Sequence, residues 1–107
     1  MKLKSKNAII RLAKIVNDDG KLSVSIILDY GGVCQEFARS SLYLSKKYYH
    51  HKLESVAGHF IFRVMEIAGV TEWNDLKGKA IRVKADYSKV YAIGHIINND
   101  WFYPEKN

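Results

Sequence analysis

Few residues in this chain have types and spacings that could do chemistry. There are four histidines and one cysteine. His50 and His51 are adjacent, and His59 follows a short way on. Adjacent histidines on one backbone point apart, and no cysteine pair or suitably spaced carboxylate completes a tetrahedral set. No metal site is expected. Cys34 precedes Gln35-Glu36 without a histidine at a recognisable offset, so a thiol nucleophile is not expected either. His95 lies in an apolar row with Tyr91, Ile93 and Ile97. An imidazole there could act as a general base, but no nucleophile or acid stands beside it, and a histidine in such a row is usually a hydrogen-bonded structural residue. The chain also lacks a Gly-rich phosphate loop and a paired-carboxylate signature. The expectation is a protein that is not an enzyme and uses no cofactor.

Residues suited to binding are easier to find. Lys46, Lys47, Tyr48, Tyr49, His50, His51 and Lys52 interleave cations with aromatic rings. Such a run could follow a phosphate backbone and stack on bases. It could equally approach an acidic protein surface, since no established nucleic-acid-binding motif accompanies it. The net charge of +6 is uneven. Residues 1–53 hold ten Lys/Arg against four Asp/Glu, and residues 54–107 hold seven of each. The excess concentrates at Lys2, Lys4 and Lys6 and at Lys46, Lys47 and Lys52, either as a partner-facing basic surface or as solvated loops.

These residues must be held by a fold. The 107 residues suffice for one domain with one core. The single cysteine excludes an internal disulfide and fits a reducing cytosol. No apolar run is long enough to span a bilayer, and the start does not resemble a signal peptide. A cytoplasmic protein without a membrane partner is expected, with residues 1–6 as a disordered N-terminal end. Leu53 to Gly69 is the one long helical pattern. Its inner arc takes Leu53, Val56, Ala57, Phe60, Ile61, Val64, Ile67 and Ala68, and Gly69 stops it as a left-handed cap. Asn7–Asn17 and Leu22–Tyr30 form a hairpin over the turn Asp18-Asp19-Gly20. Leu22, Val24, Ile26 and Leu28 share its inward face. After Gly31-Gly32 a third strand returns. Thr71 is the expected cap of a short turn ended by Gly78. Lys79–Ala85 and Val90–Ile97 complete the set. The predicted order is β-β-β-α-β-β, an α+β fold. Its five-stranded antiparallel sheet is curled or partly closed, with one helix packed on one face.

Three segments carry a resemblance. Trp73–Val83 reads Trp-x-x-Leu-x-Gly-Lys-x-x-Arg-Val, Ala92–Ile96 reads Ala-Ile-Gly-His-Ile, and Trp101–Pro104 reads Trp-Phe-x-Pro. Together with Leu28–Gly32, this pattern resembles a group of small phage and prophage proteins of uncharacterised function. The likeness spans about two-thirds of the chain and departs at Ser45–Lys52. It implies an origin in a mobile element and, as a tendency of small phage proteins, inhibition of a host defence protein by contact, in the manner of an anti-CRISPR. It carries over no catalytic residue. The expected partner is a host protein or a protein–nucleic-acid complex in the host cytoplasm. The alternative is a nucleic-acid-binding accessory protein that uses the Lys46–Lys52 patch.

The helix offers the candidate contact surface. With Leu53 as zero, Met65 lies near 120° and Phe62 near 180°. His59 shares that outer region. A phenylalanine facing water forgoes about 1.5–3 kcal/mol of burial. Either Trp101–Tyr103 or the Tyr43–Tyr49 segment folds over it, or Phe62, Met65 and His59 meet a partner or a second copy of the chain.

Overall fold

The computed structural model describes residues 4–19, 21–39 and 56–104. Three strands come first: β1 (Ser5–Asp18), β2 (Lys21–Tyr30) and β3 (Val33–Arg39). The helix α1 (Val56–Ala68) and a 3-10 turn at Trp73–Asp75 follow. Then come β4 (Ala80–Ala85), β5 (Val90–Gly94) and β6 (Trp101–Phe102). The strands form one antiparallel sheet in the order β3-β2-β1-β4-β5-β6. The fold is α+β, as expected, but the sheet has six strands rather than five. The extra strand comes from the aromatic tail, which pairs Phe102 with Ile93 and Trp101 with Gly94.

The first hairpin follows from alternation and turn chemistry. Asp18 pairs with Lys21, leaving a two-residue loop, and Asp19 has φ 54°, as such a loop demands. Val24, Ile26 and Leu28 are buried, and Leu22 packs at the margin of the core. The start of β1 takes in Ser5 and Lys6, which pair with Lys84 and Val83. Those two residues therefore belong to the sheet and not to a loose N-terminal end.

The helix ends where a Cβ would be strained. Gly69 has φ 72° and donates its N–H to the Glu66 carbonyl at 3.2 Å. Val70 N–H reaches the Met65 carbonyl at 3.1 Å, completing a Schellman cap. Phe60, Val64 and Ile67 are buried, with Ile61 and Ala68 packed beside them. In the 3-10 turn the N-cap is Glu72, not Thr71, and it makes no side-chain cap bond. Leu76 then plugs the core.

The sheet is curled but not closed. Strands lie about 4.8 Å apart, so the edges of a flat six-stranded sheet would be about 24 Å from each other. Here Phe37 on β3 and Phe102 on β6 have ring centroids 6.4 Å apart. Gln35 on β3 donates from Nε2 to the Tyr87 carbonyl at 3.0 Å. Side chains thus bring the two ends together, while no backbone ladder joins them among the described residues. Phe60 of α1 sits between, 5.7 Å from Phe37 and 5.5 Å from Phe102.

Phe102 therefore belongs to the core although it lies close to the chain end. Truncating it as Phe102→Ala should cost about 3–5 kcal/mol and lower the melting temperature by more than about 10 °C. A shift of under about 2 °C would show that the tail is not part of the core.

Candidate protein-binding surface

The outer face of α1 is built on a fixed base. Arg63, one residue beyond Phe62, turns to the sheet side. Its guanidinium donates to Asp100 Oδ1 at 2.9 Å, to the Trp101 carbonyl at 3.2 Å and to Glu66 Oε1 at 2.5 Å. It also lies 5.7 Å from the Phe102 ring centroid. The hydrogen bond to Asp100 is the main reason the Arg63 pKa is raised, and Glu66 adds to it. This clamp fixes α1 to the segment leading into β6. Phe62 stands on the opposite side and is 60% exposed. Met65 is half-buried and His59 is exposed. His59 also meets the Phe102 ring edge-on at 5.9 Å, so it bridges the surface and the core.

The tail does not cover Phe62, because β6 sends Phe102 beneath the inner face of α1, against Phe60. The other segment proposed to cover it, Tyr43–Tyr49, lies outside the described residues. So does the whole basic aromatic run Lys46, Lys47, Tyr48, Tyr49, His50, His51 and Lys52.

A second exposed aromatic was missed from the sequence. Tyr87 is 99% exposed at the tip of the β4–β5 turn. Asp86 holds that turn rigid. Its Oδ1 accepts from Ser88 N–H at 2.8 Å, Ser88 Oγ at 2.6 Å and Lys89 N–H at 3.0 Å, and its Oδ2 accepts from Tyr91 Oη at 2.9 Å. These bonds, led by the Ser88 hydroxyl, hold the Asp86 carboxyl well below the usual carboxylate range. The bond to Asp86 raises the Tyr91 phenol in turn. Burial, and then the Asp86 charge, raises Tyr30. The spacing Asp86-x-Ser88 was the available signal, since aspartate there can bond the backbone two residues on. A preorganised turn lets Tyr87 contact a partner at low entropic cost.

On the outer face of the sheet, Trp101 lies flat on Gly94. A Cβ at Gly94 would sit 2.6 Å from the indole ring. Lys84 Nζ is 4.3 Å from the centre of that indole and the Arg82 guanidinium 5.0 Å. Lys84 donates to Tyr103 Oη at 2.8 Å. Arg82 donates to the carbonyls of His95 and Asn98, both at 2.7 Å. This cationic and aromatic layer is therefore committed to holding the chain together, and the indole is flanked by protein groups rather than open to a stacked base.

His95 plays a similar internal part. The strand β5 stops at Gly94, and a register shift after Lys84 leaves Tyr91 out of the ladder. Tyr91, Ile93, His95 and Ile97 therefore do not form the single row expected. Ile93 is buried, whereas Ile97 is 81% exposed. His95 Nδ1 accepts from the backbone N–H groups of Ile97 and Asn98 at 3.1 and 2.9 Å. Cys34 is exposed on β3. Among the described residues no three His, Cys, Asp or Glu side chains gather as a metal set. No described helix is long and apolar enough to cross a membrane. No protein-family model, curated protein or solved structure matches the chain.

The Asp86 turn has a pH signature. A carboxylate whose folded pKa is lowered contributes stability above its unfolded pKa of about 4 and loses it as pH falls further. Asp86→Asn should therefore melt below the wild type at pH 7, and the gap should narrow progressively below about pH 4. A gap of constant size in thermal melts across that range would rule out the charged turn.

Proposed function

We propose that this chain is a small phage- or prophage-encoded binding protein that inhibits a host defence protein by direct contact, with the outer face of α1 at the centre of the contact surface. The observation that carries this reading is Phe62. A large ring left 60% exposed on a helix clamped from behind by Arg63 is costly in water and cheap to bury against a partner. Aromatic anchors at interface centres have this character. Met65 supplies an adaptable apolar neighbour, and His59 a polar rim that is already positioned by Phe102. The phage origin rests on the resemblance of Trp73–Val83, Ala92–Ile96 and Trp101–Pro104 to small phage proteins, and on nothing else.

The test compares wild type with Phe62→Ser and Met65→Ser in a bacterial strain whose defence system blocks phage plating. Wild type should restore plating when expressed. Both variants should lose that effect while staying folded, and Phe62→Ser, which removes an exposed ring, should melt within about 3 °C of wild type. If Phe62→Ser retains full inhibition, or falls in melting temperature by much more than this, the surface has been misassigned.

A further inference from the structure

The loop between β5 and β6 is wound on an imidazole. Nδ1 of His95 accepts two backbone N–H groups, from Ile97 at 3.1 Å and from Asn98 at 2.9 Å. The base of the loop is closed by backbone bonds. His95 N–H donates to the Asp100 carbonyl, and Asp100 N–H to the Asn98 carbonyl, both at 2.9 Å. Arg82 of β4 grips the loop through the carbonyls of His95 and Asn98. Ile97, between these bonds, is 81% exposed.

A ring nitrogen that accepts carries no proton. In a neutral imidazole one nitrogen donates and the other accepts, so the proton of His95 sits on Nε2. In an imidazolium both nitrogens are donors. A proton taken from water at Nδ1 would face two N–H groups at hydrogen-bond distance, with no lone pair left for either. The ring and the two amides cannot stay together in that state. Histidine is the side chain that ordinarily changes charge between about pH 5 and pH 8.

The neighbouring charges are engaged elsewhere. From α1, Arg63 binds Glu66 and also Asp100, which is the one acid in residues 95–100. From β4, Arg82 binds the two loop carbonyls and Lys84 binds the Tyr103 hydroxyl. The base of the loop is held by bonds that do not involve the ring: the backbone bond from His95 to Asp100, and the clamp of Arg63 on Asp100 and Trp101. What the imidazole holds is the pair of amides at Ile97 and Asn98.

We propose that residues 96–99 form a pH-sensitive loop. With His95 neutral, the loop is wound on Nδ1 and Ile97 is presented in one geometry. With His95 protonated, the Ile97 and Asn98 amides turn to water, while the base at His95 and Asp100 stays in place. The switch does not depend on the contact surface at Phe62.

Two-dimensional NMR of the full chain, titrated from about pH 8 to about pH 5, tests this. The His95 ring resonances, assigned apart from those of the other three histidines, should titrate with the Ile97 and Asn98 amide shifts at one midpoint. Protection of these two amides, corrected for the intrinsic pH dependence of exchange, should fall by about 2- to 10-fold across that midpoint. The His95 amide, bonded to Asp100, and the Ile10 amide, bonded to Lys79, should keep theirs. His95→Asn retains an acceptor that reaches an N–H two residues on and does not titrate, so its Ile97 amide should show no midpoint in this range. His95→Ala removes the acceptor and should leave both amides unprotected at every pH. Amides that ignore the His95 titration overturn the proposal, and so does a His95 ring that does not titrate in the range. A midpoint that survives in His95→Asn overturns it as well, since another group must then drive it. Should either variant unfold, the wild-type titration still decides the matter.

Discussion

The structure depends on a contact between three phenylalanines that are far apart in sequence. Phe37 comes from one edge of the sheet, Phe102 from the other, and Phe60 from the helix between them. A six-stranded sheet has no intrinsic reason to bring its edges to within one ring of each other. Burying the rings supplies that reason, and edge-to-face geometry adds to the area term. The curl that results lets a single thirteen-residue helix cover the inner face of β4, β5 and β6. It also sets Gln35 against the β4–β5 turn and so helps present Tyr87.

The convex face is held by a different device. Trp101 lies on Gly94 and is flanked by Lys84 and Arg82, and Arg82 ties down the loop that follows β5. Lys84 and Arg82 are both engaged in this layer. Among the described residues, Phe62 on α1, Tyr87 on its turn and Ile97 after β5 are the most exposed large apolar or aromatic side chains. Phe62 and Tyr87 stand on elements fixed from behind, by the Arg63 clamp and by the Asp86 turn.

Much of this was legible in the residues. Strict alternation from Leu22 to Leu28 declared a half-buried strand, and Asp-Gly declared its turn. The 3.6-residue spacing of Phe60, Val64 and Ile67 declared the inner face of the helix and left Phe62 outside it. Gly69 marked the cap. The sixth strand was not legible, because two residues are too few to show a period, and Pro104 just beyond them cannot continue a central strand. The pairing that makes Trp101–Phe102 a strand is supplied entirely by β5. The row through Tyr91 and His95 was misread because a bulge resets alternation without leaving a mark in the sequence. Gly94 did leave one. An isolated glycine in a strand often marks close approach of another group, and here that group is Trp101.

The most direct test of this account is the proximity of Phe37 and Phe102 in solution. With rings 6.4 Å apart, edge-on, their ring protons should give direct nuclear Overhauser cross-peaks, and both should share cross-peaks with Phe60. If Phe37 and Phe102 instead show no mutual cross-peak while β1–β2 pairing is intact, the sheet is flat and the curl that organises the helix and the exposed surfaces does not exist.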